Sequence, residues 1–513
     1  MFKLIYKLHH STWVQIIFFL GIFTFLFFFF GFGHILFKGP FGVHFMRQTD
    51  SLSFASNYFN NGFHFFKPQL YTLSNFDGRA ACEFPITYYL TALLYTVFGK
   101  QFFVQRFVHL IISYIGVFYI FKLSYKTTND FIYATLISLM VLTSAVFNYY
   151  SFNYLPDAPA LGFAFIGWFF IFKSLDADSG KHLITGYIFF TLSSLIKVTY
   201  LINPLSVIGL AIISKVFYRK NPLLKNGNKT IVYGFVMILA VLAWNIFMLY
   251  YNKVNQSNSF NTKPIPIWIM HKESIARVWE HFTHYWYSSY FYKSVFHLFY
   301  ISALFLIIFY KKLGNKLIIL LSLLLLGNLS IYILFFAQFK DHDYYFLTFF
   351  PFIILVIIFS VKTLKNITGN HTIHLVAKLL FIIIVALGIN HARKKSHERI
   401  ITNIVDNKFR LGLLIHEKKY DIESLNIESD AKFIVAPENC PNGALMYLDK
   451  RGWPIRDLNQ VNDETIRDYI AIGADYLLIA NKEEFELFQN NYSELIFKKN
   501  GLYIYKLSPI HDN

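Results

Sequence analysis

A few short segments of this 513-residue chain hold acids, cations and aromatics at spacings that can do chemistry. In Arg47-Gln48-Thr49-Asp50 the guanidinium and the carboxylate are three residues apart, on one face if helical. A carboxylate so placed can take a proton from a hydroxyl, and the arginine can keep it ionised. Leu52, Ala55, Tyr58 and Phe59 follow at helical spacing, so the segment reads as a helix with one apolar face lying along a membrane surface. Thr49 or Asp50 then also suits a plain N-cap. Glu83-Phe84-Pro85 enters a second helix that stops near Val97-Phe98-Gly99; Glu83 is either a first-turn acid facing the helix dipole or a binding group. Asp157 is the lone charge of Asn153-Tyr154-Leu155-Pro156-Asp157-Ala158-Pro159, again cap or chemistry. Lys197 lies deep in an apolar run, where lysines either snorkel or meet an anion. Lys340-Asp341-His342-Asp343-Tyr344-Tyr345 offers Lys340 or His342 to a phosphate, or else an interfacial tyrosine belt with solvated charges. Its carboxylates and imidazole suit a divalent metal by type, but three ligands within three residues do not easily converge.

The elements that must position these groups are membrane helices. The chain is 55% apolar and 20% aromatic but only 15% charged, far from the composition of a soluble domain. Runs of about 20 apolar residues fall at 14–30, 103–121, 131–150, 158–172, 183–217, 231–251, 295–310, 317–337, 344–361 and 375–391. The run 183–217 is too long for one crossing and is broken by Lys197 and Asn203-Pro204, so it reads as two short helices and the total as about eleven spans. The first run follows Lys3 and Lys7, lacks a cleavage site, and reads as an uncleaved span. Basic residues collect in alternate short loops, which puts the N-terminus in the cytoplasm. Segments 34–101, 151–157, 252–294 and 338–343, and the C-terminal domain, then lie outside; Arg393-Lys394-Lys395 is a local exception. Residues 1–391 carry 30 Lys+Arg against 11 Asp+Glu, while 392–513 carry 17 against 19. The expected domains are therefore a transmembrane body, 1–391, with a first outer loop at 34–101, and a small soluble α/β domain, 392–513, without a nucleotide, metal or nucleophile motif. Basic residues scattered between apolar runs, despite a net charge of +17, give no nucleic-acid surface. Cys82 and Cys440 both fall outside, where a disulfide could tie the first loop to the C-terminal domain.

Eight of the eleven acids in the first 391 residues lie in the predicted outer loops, and none lies within an apolar run. Ion-coupled carriers keep acids at mid-membrane depth. The placement therefore favours an enzyme working at the membrane rim over a transporter or lipid flippase, which is the alternative reading.

The order of these features resembles the GT-C membrane glycosyltransferases, in particular the bacterial relatives of protein O-mannosyltransferases and of the aminoarabinose transferase that modifies lipid A. The likeness rests on Arg-x-x-Asp in a long first loop, the Glu-x-Pro turn, a lone acid in the second loop, a lysine between short paired spans, and a late His-Asp-Tyr-Tyr. Asn442–Tyr447 and Arg451-Gly452-Trp453 are similar to the outer domain of such proteins. The resemblance implies inverting transfer of a sugar from a polyprenyl-phosphate donor to a lipid, glycan or protein hydroxyl, at the outer face of the bacterial inner membrane. It implies Asp50 as general base and Asp157, matching the second-loop acid, as a further catalytic residue. Arg47, Glu83, Lys197, Lys340, His342 and Tyr345 would bind substrate. The mannosyltransferases proper have Asp-Glu where Asp50-Ser51 stands here, so no cofactor is firmly implied and a divalent metal stays open.

Overall fold

The computed structural model describes residues 11–177, 179–220, 222–260, 263–402, 410–480 and 493–509; Lys3 and Lys7 lie outside them. Long apolar runs satisfy their backbone internally by winding into helices. Eight helices among the described residues are long and apolar enough to cross a membrane: Thr12–Phe29, Phe102–Thr128, Asp157–Asp176, Val198–Phe217, Gly227–Val254, Asn315–Leu334, Asp343–Ile367 and His371–Ile400. The number reaches ten if two bent pairs each count as one: Phe131–Val141 with Ala145–Ser151 (75°) and Lys272–Tyr290 with Lys293–Ile308 (94°). The protein is a multi-pass membrane protein, with fewer qualifying helices than the eleven expected. The run 183–217 does divide, into Gly180–Ile196 and Ile202–Phe217. The break falls at Lys197, whose backbone is extended (φ −140°, ψ 111°), while Pro204 sits in the first turn of the second helix.

Two compact units emerge. The first comprises residues 1–37, 106–245 and 262–398. Here Phe102–Thr128 and the helix beginning at Asp157 touch backbone to backbone: a Cβ on Gly116 would stand 2.4 Å from the Cα of Gly162. Small residues let membrane helices approach this closely.

The second unit joins residues 38–105, 246–261 and 399–513, so the C-terminal segment shares a compact unit with most of the first loop. Its sheet has strand order β2-β1-β3-β5-β4, with β1 Lys432–Ala436, β2 Arg451–Pro454, β3 Tyr476–Ala480, β4 Ser493–Lys499 and β5 Leu502–Leu507. β1 runs parallel to β2 and β3, and β5 antiparallel to β3 and β4. The exposed edge of β2 is taken up by the first loop: Leu73 N–H donates to Gly452 O (2.7 Å) and Gly452 N–H to Tyr71 O (3.1 Å). Helices Phe45–Asn60 and Ile86–Phe98 pack through Phe54, Ala55, Tyr58, Tyr88, Ala92 and Tyr95. Gln48 through Tyr58 are all buried, so this is a core helix rather than one with an exposed polar face lying on a membrane surface.

Candidate active site

In the second unit the Phe45–Asn60 helix starts from His44, whose φ is +59°. Asp50 thus lies in the second turn, and neither it nor Thr49 is the cap the spacing allowed. Helical geometry puts Arg47 and Asp50 on one face, and Nη1 of Arg47 reaches Oδ2 of Asp50 at 3.5 Å. The same guanidinium grips Glu83 with both oxygens engaged, Nη2 donating at 2.8 and 3.1 Å. Because donor and acceptor are both ionised, these are charge-assisted hydrogen bonds, stronger than neutral ones. Glu83 precedes the cap residue Pro85 rather than entering the first helical turn, and it also accepts from Tyr88 OH at 2.6 Å. Phe260 covers the Arg47 guanidinium at 4.9 Å from its ring centre.

The remaining contact to Asp50 comes from the C-terminal segment. Asn442 Nδ2 donates to Asp50 Oδ1 at 2.9 Å, while Asn442 Oδ1 accepts from Thr72 N–H at 3.0 Å. Asp50 is 7% exposed. Burial pushes its carboxyl above the ordinary value of 3.8, and Arg47 and Asn442 oppose that rise. Burial also works against charge on Arg47, yet Glu83 and then Asp50 outweigh it and hold the guanidinium protonated. The result is a carboxylate with heightened basicity whose Oδ1 is engaged by a good hydrogen bond and whose Oδ2 has only a long one.

Beside this cluster Cys440 Sγ lies 3.1 Å from Thr49 Oγ1, and Cys82 Sγ donates to Glu83 O at 3.7 Å. Both cysteines are buried free thiols, so the disulfide is not formed. Each thiol already has a local oxygen partner.

The first unit assembles the other predicted residues. Asp157 opens its helix and is 3% exposed; its Oδ1 pairs with Lys197 Nζ at 3.1 Å. Lys197 also lies over the rings of Tyr344 (4.7 Å) and Tyr345 (5.8 Å), and its side chain keeps 20% exposure. His342 packs at a tilt against the same two tyrosines. Lys340 instead pairs with its neighbour Asp341 (3.6 Å), and its carbonyl accepts from Trp286 Nε1 (2.8 Å). Asp343 is fully buried and accepts from Tyr150 OH at 2.7 Å. Asp341 and Asp343 therefore have separate partners, and the Asp-His-Asp run forms no common ligand set.

Among the described residues no three His, Cys, Asp or Glu converge on one point. Asp50 and Glu83, the two carboxylates of the first cluster, share the Arg47 guanidinium. A divalent ion does not fit between them while Arg47 holds both.

Sequence reasoning missed Asn442 as a partner of Asp50, although Asn442–Tyr447 was singled out. It also missed Arg106, a buried arginine whose Nε donates to Tyr154 OH (3.0 Å) and Nη1 to Phe152 O (2.8 Å). A lone arginine near the start of an apolar run was the available signal, and its role is to fix the loop that ends in Asp157.

With this geometry in hand, the comparisons define the class. Residues 83–244 match the model of the dolichyl-phosphate-mannose-protein mannosyltransferase family, a stretch that includes Glu83, Asp157 and Lys197 but not Asp50. The chain is similar to ArnT from Cupriavidus metallidurans in the apo state, with a TM-score of 0.62 and 9% identity over 96% of this chain and 97% of that one. Against the same protein bound to undecaprenyl phosphate the TM-score is 0.55 at 10% identity, over 97% and 98%. It is also similar to the Archaeoglobus fulgidus oligosaccharyltransferase solved with zinc and sulfate: TM-score 0.54, 11% identity, 89% of this chain and 67% of that one. No curated protein matches the sequence. The fold is thus the GT-C fold of membrane glycosyltransferases, with a small C-terminal sheet domain.

Proposed function

We propose that this protein is an integral-membrane glycosyltransferase that moves a sugar from a polyprenyl-phosphate donor to an acceptor hydroxyl on the extracytoplasmic face of the bacterial inner membrane, with inversion. The observation that carries the reading is Asp50: a buried carboxylate raised in basicity and oriented by Arg47 and Asn442, in a chain that shares its fold end to end with ArnT. The undecaprenyl phosphate bound by that neighbour supports the donor class. Two segments predicted to lie outside, together with the C-terminal domain, build the unit that holds Asp50, which supports the sidedness.

In this mechanism the acceptor hydroxyl attacks the anomeric carbon while Oδ2 of Asp50 takes its proton. The bond from that carbon to the lipid phosphate breaks, and the phosphate departs as an anion that needs no strong acid. It needs cations. Lys197, held by Asp157 and lying over Tyr344 and Tyr345, serves the phosphate, and His342 and Lys340 stand in the loop that carries those tyrosines. Arg47 and Glu83 hold Asp50 in place, and Asp157 acts as a positioning residue for Lys197. Glycan, lipid or protein remain the acceptor classes.

The test is transfer of radiolabelled sugar from a panel of polyprenyl-phosphate sugars in membranes carrying the wild type or Asp50→Asn. Transfer in the wild type and its loss in Asp50→Asn, at equal protein level, is the expected result. Equal transfer in both removes Asp50 from the chemistry. Absence of transfer from every donor favours the carrier reading.

A further inference from the structure

A cavity in the second unit, of about 280 Å³, belongs to none of the machinery above. Its cations are Lys67, Arg79 and Arg451, against the single acid Asp77. Asp77 satisfies two of them, through Arg451 Nη2 at 2.9 Å and Arg79 Nε at 3.6 Å, so one carboxylate is shared by two guanidiniums. Lys67 has no acidic partner among the described residues. The cavity therefore carries two excess positive charges. Amides complete it: Asn61 bonds Gln69, and Gln69 Nε2 donates to Asp77 Oδ2 at 3.1 Å.

The wall is built rather than incidental. Asp77 and Gly78 both have positive φ (49° and 65°), and a Cβ on Gly78 would stand 2.6 Å from Leu70 O. Only glycine fits there, and the tight turn aims Asp77 at Arg451. Buried Asn57 also lines the cavity. It lies seven residues beyond Asp50 on the same helix, hence on the same face and roughly 10 Å along the axis.

We propose that this cavity binds an anionic saccharide, a sugar bearing a carboxylate or phosphate, as an outlying part of the acceptor. The acceptor role rests on the glycosyltransferase reading; the binding does not. Unpaired positive charge selects the anion, and amides that both donate and accept suit ring hydroxyls. A lining this polar excludes an acyl chain.

The experiment is isothermal titration of the full-length protein in detergent. The probes are a disaccharide ending in glucuronic acid, the same disaccharide ending in glucose, its 6-phosphate, and inorganic phosphate. The expected result is that a charged disaccharide binds at least tenfold more tightly than the neutral one and than inorganic phosphate, and that added salt weakens it. Lys67→Glu, at an exposed position, is expected to weaken binding at least tenfold, and Arg451→Gln provides a second variant. Asp50→Asn is expected to leave this binding unchanged. Equal binding of charged and neutral sugars, no binding of either charged sugar, or indifference to both variants would overturn the proposal, as would inorganic phosphate binding as tightly as the saccharides. Binding without any sugar transfer overturns the enzyme reading alone. Transfer without anion binding overturns this one alone.

Discussion

Asn442→Ala removes the 2.9 Å donor to Asp50 and leaves the longer Arg47 contact in place. A hydrogen bond to an ionised group contributes about 1.5–3 kcal/mol. At 1.36 kcal/mol per pKa unit, its loss would raise the Asp50 pKa by about one to two units. Water entering the vacated space returns part of that, so we predict a rise of about one unit. Burial already pushes this carboxyl up and Asn442 opposes the push, so the sign is upward. A base must be ionised to act. The acid limb of the pH profile of kcat/KM should therefore move to higher pH by about one unit in Asn442→Ala, with a roughly tenfold loss below the limb and recovery toward wild type above it. The assay is initial-rate sugar transfer across pH, using detergent-purified protein whose folding is checked by gel filtration at each pH. An unmoved limb would refute the reasoning; so would a loss that is uniform at every pH, which would make Asn442 a structural tie only.

Four further outcomes follow. Arg47→Gln leaves Asp50 and Glu83 without their shared cation; breaking a buried pair costs about 3–5 kcal/mol, less here because Arg47 keeps a fifth of its exposure, so the unfolding midpoint and the transfer rate should both fall. In the wild type, EDTA should leave transfer unchanged, since Arg47 is the cation shared by Asp50 and Glu83. Lys197→Gln should lower kcat/KM for the lipid-linked donor by about 10²-fold or more, read from initial rates at subsaturating donor. Burial raises the Glu438 carboxyl from 4.5 to about 7, against the opposing N–H bonds from Cys440 and Ala444. A raised acid contributes stability that is full below pH 4.5 and lost as pH rises through about 7. The denaturant midpoint of unfolding should fall over that window, and Glu438→Gln should flatten the dependence.

Much of this was legible in the residues, and the rest had physical reasons to stay hidden. Arg47 and Asp50 declare themselves by spacing, because three residues apart is contact distance on a helix. The true start of that helix was not legible: His44 begins it in a left-handed conformation, with no side-chain cap to announce it. The rim acids stood out because an apolar chain makes every charge conspicuous. Their partners did not. The Asp157–Lys197 pair and the Asp50–Asn442 bond join distant segments, and no local pattern encodes which distant segment arrives. The 75° and 94° bends were hidden for a similar reason, since they occur where the sequence has neither proline nor glycine to mark them.

The bond from Asn442 to Asp50 spans 392 positions of the chain. At roughly 5–20 residues per second, a ribosome needs about 20–80 s to travel from one to the other. Through that interval the first loop has left the ribosome with its carboxylate unset, the edge-strand partner for Tyr71 and Leu73 not yet made, and Thr72 N–H still without Asn442. A chain halted before Asn442 would carry the predicted base without the amide that orients it. Arrival of the Asn442 segment thus becomes the event that orients the carboxylate, and a chain lacking it would carry Asp50 with the Arg47 contact alone.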